Sequence, residues 1–221
     1  MEKEIVGLLP VKASSERVAN KNLREFGATT LFELKLSQLT KARGFEKIIV
    51  SSEDDQILSI ANKHGFSVHE RDSKYSTSDV PMSDVYANIA SEIKGENIAW
   101  INVTNPLSGP DVYTKATTAF DEMDSSFDCL LSVSEVQSYL FHEGKALNFR
   151  PNPWQKSQDL SGVCEMTFVI NILKRQDMVK WGSCVGNAPF LYHLSKILSW
   201  DIDEQEDFDF CEMIHKKNLL E

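Results

Sequence analysis

The densest chemistry in the chain lies near the C-terminus, in Leu198-Ser199-Trp200-Asp201-Ile202-Asp203-Glu204-Gln205-Glu206-Asp207-Phe208. Asp201 and Asp203 flank one apolar residue. In an extended segment residues two apart point the same way, so both carboxylates share a face while Ile202 turns into the core. Two hard oxygen donors on one face suit Mg²⁺, which takes one or two carboxylates and fills its shell with waters and substrate phosphates. The competing assignment is a helix cap, with Asp203 as N-cap of a helix carrying Phe208, Cys211 and Ile214, and Glu204, Glu206 and Asp207 in its early turns. Capping accounts for those last three. It explains nothing about Asp201, which precedes the helix.

At the opposite end, Pro10-Val11-Lys12-Ala13-Ser14-Ser15-Glu16-Arg17-Val18-Ala19-Asn20-Lys21-Asn22 follows a short apolar run. It has neither the G-K-[ST] of a Walker A loop nor the G-x-G-x-x-G of a dinucleotide turn. It does combine small residues (Ala13, Ser14, Ser15) with cations at Lys12, Arg17 and Lys21. A triphosphate needs backbone N–H groups in a concave arrangement, with cations close by that do not fill the space. On composition alone, a polar loop with solvated lysines explains the stretch equally well.

The whole-chain balance makes such a local patch significant. The 221 residues carry 23 Lys and Arg against 33 Asp and Glu, a net charge of −10. A hydrophobic fraction of 42% with 25% charged residues is that of a globular domain with a full core, which excludes disorder. An acidic chain without a basic run is no binder of nucleic-acid backbone. It can hold a polyanionic nucleotide only through a concentrated patch or a metal. Cys129, Cys164, Cys184 and Cys211 form no C-x-x-C pair and have no His at metal-ligand spacing, so reduced thiols are expected. MEKEIVGLLP does not read as a signal peptide, and no apolar run approaches the roughly 20 residues that span a bilayer. A cytoplasmic protein without a membrane partner, folded as one domain over 1–221, is expected.

The elements that must position these groups alternate along the chain. Ile5–Leu9, Lys47–Ser52, Ile98–Val103, Cys129–Val133 and Met166–Ile172 read as buried strands, with a short one at Val68. Helical spacing links Leu31, Leu34, Leu39 and Ala42; Ile57, Leu58 and Ala61; Met82, Val85, Tyr86, Ile89 and Ile93; and Val112, Ala116 and Phe120. Ser52 is the expected N-cap of the second helix, with Glu53, Asp54 and Asp55 in its first turn and no catalytic role; His64-Gly65 ends it. The pattern predicts an α/β fold, a mostly parallel central sheet with helices on both faces. Its chemistry then lies in loops at the carboxyl ends of the strands.

Pro10, Ser15, Arg17, Lys21 and Asn22 fall where the sugar-activating cytidylyltransferases that make CMP-sialic acids have the motif P-A-R-G-G-S-K-R-x-x-x-K-N. The resemblance runs in order through most of the chain. Val50-Ser51-Ser52-Glu53-Asp54 is similar to V-S-T-D-S/D, Arg71 and Ser83-Asp84 to an R-…-S-D region beside the nucleotide, and Ile101–Ser108 to L-Q-P-T-S-P-L-R. Lys156-Ser157-Gln158-Asp159-Leu160 resembles R-R-Q-D-L-P, and the Asp201-Ile202-Asp203 stretch resembles s-x-D-I-D-t-x-x-D-F, whose two aspartates hold the metal. Departures are Val11, Lys12 for Arg, Ala13-Ser14 for Gly-Gly, Glu16 for Lys, Ser108 for Arg, and Cys164-Glu165 for Asn-Gly.

The resemblance implies a Rossmann-like nucleotidyltransferase (GT-A-like) fold and transfer of CMP from CTP to a 3-deoxy-2-ulosonic acid, with release of pyrophosphate. It implies Lys21, Asp201 and Asp203 as catalytic groups, with Mg²⁺ on the two aspartates. Lys12, Ala13, Ser15, Arg17, Asn22, Arg71 and Ser83 would contact the nucleotide; Asn102 and Gln158 would contact the acceptor. It also implies a homodimer, with an extension around 135–165 packing across the partner. An octulosonate cytidylyltransferase fits less well, because Thr104-Asn105 stands where that group has an acidic pair. Activation of another acceptor, and a nucleotide binder that has lost catalysis, are the remaining alternatives.

Overall fold

In the computed structural model, which describes residues 3–15, 17–77 and 79–217, the alternating pattern becomes a seven-stranded sheet between two layers of helices. The elements run in order as β1 (Ile5–Pro10), β2 (Glu25–Phe26), β3 (Thr29–Thr30), α1 (Leu31–Lys41), β4 (Lys47–Ser52) and α2 (Asp55–Lys63). Next come β5 (Ser67–Glu70), α3 (Met82–Glu92), β6 (Asn97–Trp100), α4 (Pro110–Glu122) and β7 (Cys129–Glu135). After the small hairpin β8 (Phe141–His142) and β9 (Lys145–Ala146) follow β10 (Cys164–Lys174), α5 (Arg175–Trp181), β11 (Pro189–Leu194) and α6 (Gln205–Lys216). The sheet order is β11-β7-β10-β6-β1-β4-β5. Strand β10 pairs antiparallel with both neighbours and all other pairings are parallel.

Strand β1 shows why an unbroken apolar run was required. Ile5 and Leu9 enter one core with Leu31, Phe32, Leu36 and Leu39 of α1, and with side chains of α2, α4 and α6. Val6 and Leu8 enter the other, with Val85, Ile89 and Ala90 of α3 and Met178 of α5. A strand covered on both faces cannot alternate polar and apolar residues. Because β1 lies between β4 and β6, chain order reverses at its carboxyl end. That crevice is where open α/β sheets bind ligands.

Two local expectations change. The N-cap of α2 is Asp54, whose Oδ1 accepts from the Ile57 N–H at 2.9 Å, and Ser52 instead accepts from the Asp54 N–H. Glu53 is thereby freed for another use. Strand β6 stops at Trp100, so Asn102 sits in the loop beyond it rather than inside a strand. Strand β11 and helix α5 carry no period strong enough to be read from sequence. The helix boundary at His64-Gly65 holds, with Gly65 at φ +82° in the left-handed region that glycine tolerates.

Candidate active site

The two chemical ends of the chain meet. Lys21 donates from Nζ to the Ile202 carbonyl at 2.6 Å, between the two aspartates. Ile202 is fully buried, while Asp201 and Asp203 both line a cleft of about 970 Å³ at the carboxyl ends of β1 and β6. That is the alternation expected of an extended D-x-D. Lys12, Ser15, Arg17, Lys21, Asn22, Arg71 and Asn102 line the same cleft. Ala13 lies beside it, holding Glu53 through its backbone N–H. Ser83 is exposed near the start of α3 and Gln158 is exposed in a short turn of the 135–165 segment; neither is among the described residues that line the cleft. Glu16 lies outside the described residues.

The loop after β1 is shaped without glycine. Asn20 takes the left-handed conformation at φ +50°, one of the few non-glycine types that tolerate it, and its carbonyl accepts from the Leu23 and Arg24 N–H groups. Neither Ala13 nor Ser14 has positive φ, so replacing Gly-Gly there demands no strain. Asn22 is buried, donates from Nδ2 to the Lys12 carbonyl at 2.9 Å, and leaves its Oδ1 unpartnered among the described residues.

Glu53 organises the cradle from behind. It accepts from the Ala13 N–H at 3.2 Å, from Arg71 Nη2 at 2.6 Å and from Ser76 Oγ at 2.6 Å. Burial pushes its carboxyl upward, but the donors Ser76, Arg71 and Ala13 outweigh burial and hold it below the ordinary value. Arg71, only 3% exposed, also donates to the Val11 carbonyl at 3.1 Å. It was expected as a ligand contact; its observed bonds tie the first loop to the loop after β5.

Burial dominates the electrostatics on the opposite wall. It lowers the Lys21 pKa, with Asp201 and Asp203 pulling the other way. It raises the Asp201 pKa, opposed by a hydrogen bond from Thr104 and reinforced by Asp203. Asp201 Oδ1 is buried without a partner among the described residues. Asp203 is more exposed and pairs with Arg17 at 2.6 Å, while Arg17 reaches Glu204 at 3.4 Å. Capping falls to Glu204 and Asp207, which form a reciprocal capping box on α6. Both aspartates are thereby left free of that duty.

The loop before Asp201 is fixed by buried amides and hydroxyls. Asn105 Nδ2 donates to the carbonyls of Thr167, Ser199 and Trp200, and Ser108 Oγ donates to the Leu198 carbonyl at 2.6 Å. Ser108 therefore serves as an internal tie where the motif has an arginine. Beneath lies Lys35, fully buried, donating to the Asn105 carbonyl at 2.8 Å and to Tyr113 Oη. Its amine is pushed down to about 7 by burial, against the pull of Asp201.

The family model described as cytidylyltransferase matches residues 6–220. This chain belongs to the cytidylyltransferase family. It is 21% identical to a pseudaminic acid cytidylyltransferase of Campylobacter jejuni, over 96% of each chain. It is 24% identical to a CMP-N,N'-diacetyllegionaminic acid synthase of Campylobacter jejuni, over 98% of this chain and 97% of the relative. The solved structure of a CMP:2-keto-3-deoxy-manno-octonic acid synthetase complexed with CTP superposes with a TM-score of 0.71 at 10% identity, covering 97% of this cytidylyltransferase and 99% of that chain. That last likeness concerns the fold.

Sequence reasoning missed Glu53, Ser76, Thr104 and the apolar wall of Tyr86, Trp100 and Phe168, all in or beside the cleft. Glu53 had a signal in its position immediately after a strand end. Phe168 had none. It sits in an irregularity of β10 between Met166 and Asn171, at φ +53°. A bulky residue there costs about 1–2 kcal/mol, which only the tertiary setting can impose.

Proposed function

We propose that this cytidylyltransferase couples CTP to a nonulosonic acid, giving the CMP-sugar and pyrophosphate. The anomeric hydroxyl oxygen of the acceptor forms a bond to the α-phosphorus of CTP as the bond from that phosphorus to the pyrophosphate oxygen breaks, and the hydroxyl proton is released to water. One observation carries the reading: the Lys21–Ile202 contact places the cationic loop against both aspartates within one cleft. A cleft near 1,000 Å³ is at the upper end of the range for small-molecule sites, enough for a nucleotide with an acceptor beside it.

This chain's residues mostly bind and neutralise, as expected where the protein supplies position and charge rather than covalent chemistry. Lys12, Arg17 and Lys21 face the phosphates, supported by the Ala13–Glu53–Arg71 tie. Asn22 offers its unpartnered Oδ1 to a nucleotide donor. Asn102, whose Oδ1 accepts from Trp100 Nε1 at 3.1 Å, presents its amide to the acceptor. Asp201 and Asp203 would hold Mg²⁺: their hard carboxylate oxygens, one of them buried and unpartnered among the described residues, fit that ion. When bound, the ion supplies neutralisation of the phosphates.

The reading extends to a homodimer through the 135–165 segment, where Gln158 would meet the partner's acceptor, and to a cytoplasmic location. Among the described residues no helix is long and apolar enough to cross a membrane. The test is release of pyrophosphate from CTP and Mg²⁺ with sialic, legionaminic, pseudaminic and octulosonic acids in turn. Turnover with one or more of the nonulosonic acids is expected. CTP binding by calorimetry with no release from any acceptor would instead identify a non-catalytic nucleotide binder.

A further inference from the structure

The aspartate segment is carried by residues 104–108, in the loop after β6. Ser108 Oγ donates to the Leu198 carbonyl at 2.6 Å, and Asn105 Nδ2 reaches the carbonyls of Ser199 and Trp200 at 3.4 and 3.2 Å. The Ile202 N–H donates to the Thr104 carbonyl at 2.9 Å. These bonds bracket Asp201, whose carboxylate takes a further hydrogen bond from Thr104. Asp201 therefore stands where this loop stands.

Helix α1 grips the loop in turn. Lys35 and Gln38, three positions apart and so on one face of the helix, donate to successive carbonyls. Lys35 Nζ reaches Asn105 at 2.8 Å and Gln38 Nε2 reaches Pro106 at 2.6 Å. Lys35 also donates to Tyr113 Oη. It is fully buried on a helix whose other buried residues, Gln38 apart, are Leu31, Phe32, Leu36 and Leu39. Methionine would fill that volume at less cost, because a buried amine gives up its hydration and here finds a carbonyl and a phenol rather than a carboxylate. Stability alone does not account for a lysine at this position.

We infer, resting on the Mg²⁺ assignment above, that Lys35 and Asn105 are positioning residues for the metal: from α1, through the loop after β6, they hold the Asp201 carboxylate ready for the ion. Groups that orient metal ligands without touching the ion change its affinity by roughly 10–100-fold. Neither residue shares a hydrogen-bond partner with Arg17 or Lys21, so the cationic grip on CTP is independent of them.

The experiment follows Tm against Mg²⁺ concentration with no nucleotide present, and CTP binding by calorimetry in EDTA. In Lys35→Met, which keeps the volume, and in Asn105→Ser, which keeps one donor, the Mg²⁺ concentration giving half the rise in Tm should increase at least about tenfold. Affinity for CTP in EDTA should stay within about threefold of wild type. Tyr113→Phe removes the other partner of Lys35, which has no bond to the aspartate segment, and should leave the Mg²⁺ midpoint unchanged. Wild-type midpoints in both Lys35→Met and Asn105→Ser overturn the inference and leave the metal assignment standing. An equal increase in Tyr113→Phe, or failure of both Lys35→Met and Asn105→Ser to fold, shows that the network serves the core rather than the metal and also overturns it. No rise in Tm with Mg²⁺ in the wild type overturns the metal assignment and this inference together.

Discussion

At the scale of single residues, Asp201 and Lys21 are held in an environment that disfavours charge on either. A carboxyl whose folded pKa is raised makes its stabilising contribution below its unfolded value and loses it as pH rises through the folded one. Ionised Asp201 therefore destabilises the metal-free protein at neutral pH. Asp201→Asn should melt higher than wild type in EDTA at pH 7, lose the rise in Tm that Mg²⁺ gives the wild type, and turn over at least ~100-fold more slowly. Differential scanning calorimetry with and without Mg²⁺, together with a pyrophosphate assay, reads all three effects. Full turnover in that variant would remove Asp201 from the metal assignment.

At the scale of elements, two buried tethers give the loops their shape. Glu53, just past β4, joins the loop after β1 to the loop after β5 through Ala13, Arg71 and Ser76. Glu53→Gln keeps the volume but leaves the Arg71 guanidinium buried without its counter-charge, which costs about 3 kcal/mol. Tm should fall by roughly 6–12 °C and KM for CTP should rise at least about tenfold; unchanged values of both would show that the tether does not shape the cradle. Lys35 ties α1 to the loop after β6. Its folded pKa of about 7 lies far below the ordinary lysine value, so between about 7 and 10.5 the unfolded chain binds the extra proton. Stability should thus rise with pH across that window and fall as pH drops toward 7, by at most about 5 kcal/mol. Urea midpoints at pH 7 and pH 9.5 should separate clearly for wild type and much less for Lys35→Met. Equal slopes in the two proteins would show that the amine does not titrate in this way.

At the scale of the whole molecule, the 135–165 segment adds the small β8–β9 hairpin and a short turn at Ser157–Asp159, and leaves large apolar groups outside. Phe141 is 67% exposed and Trp154 64%, in a cluster with Tyr139 and Phe149. An apolar surface of this kind on a chain with net charge −10 is suited to association. Sedimentation equilibrium should give twice the chain mass at micromolar concentration. The Phe141→Asp/Trp154→Asp double variant should dissociate at least about tenfold more readily, since aromatic residues dominate such interfaces. A wild-type monomer at that concentration removes the dimer from the proposal.

The sequence by itself determined the α/β layering and the two chemical ends. Unbroken apolar strands and 3.6-residue stripes are local patterns, and Asp201-Ile202-Asp203 fixes which side chains share a face whatever surrounds it. The family resemblance also singled out Arg71 and Asn102, although not the partners they would take. Only the tertiary structure decided that Lys21 reaches Ile202, that Glu53 accepts from the Ala13 N–H, and that Ser108 is an internal tie. Those contacts join residues from 40 to 181 positions apart, and local patterns carry no information about which distant loops a sheet order will bring together. The left-handed Phe168 is the extreme case: its conformation is unfavourable for an isolated residue of its type, so packing around the irregular β10 had to impose it.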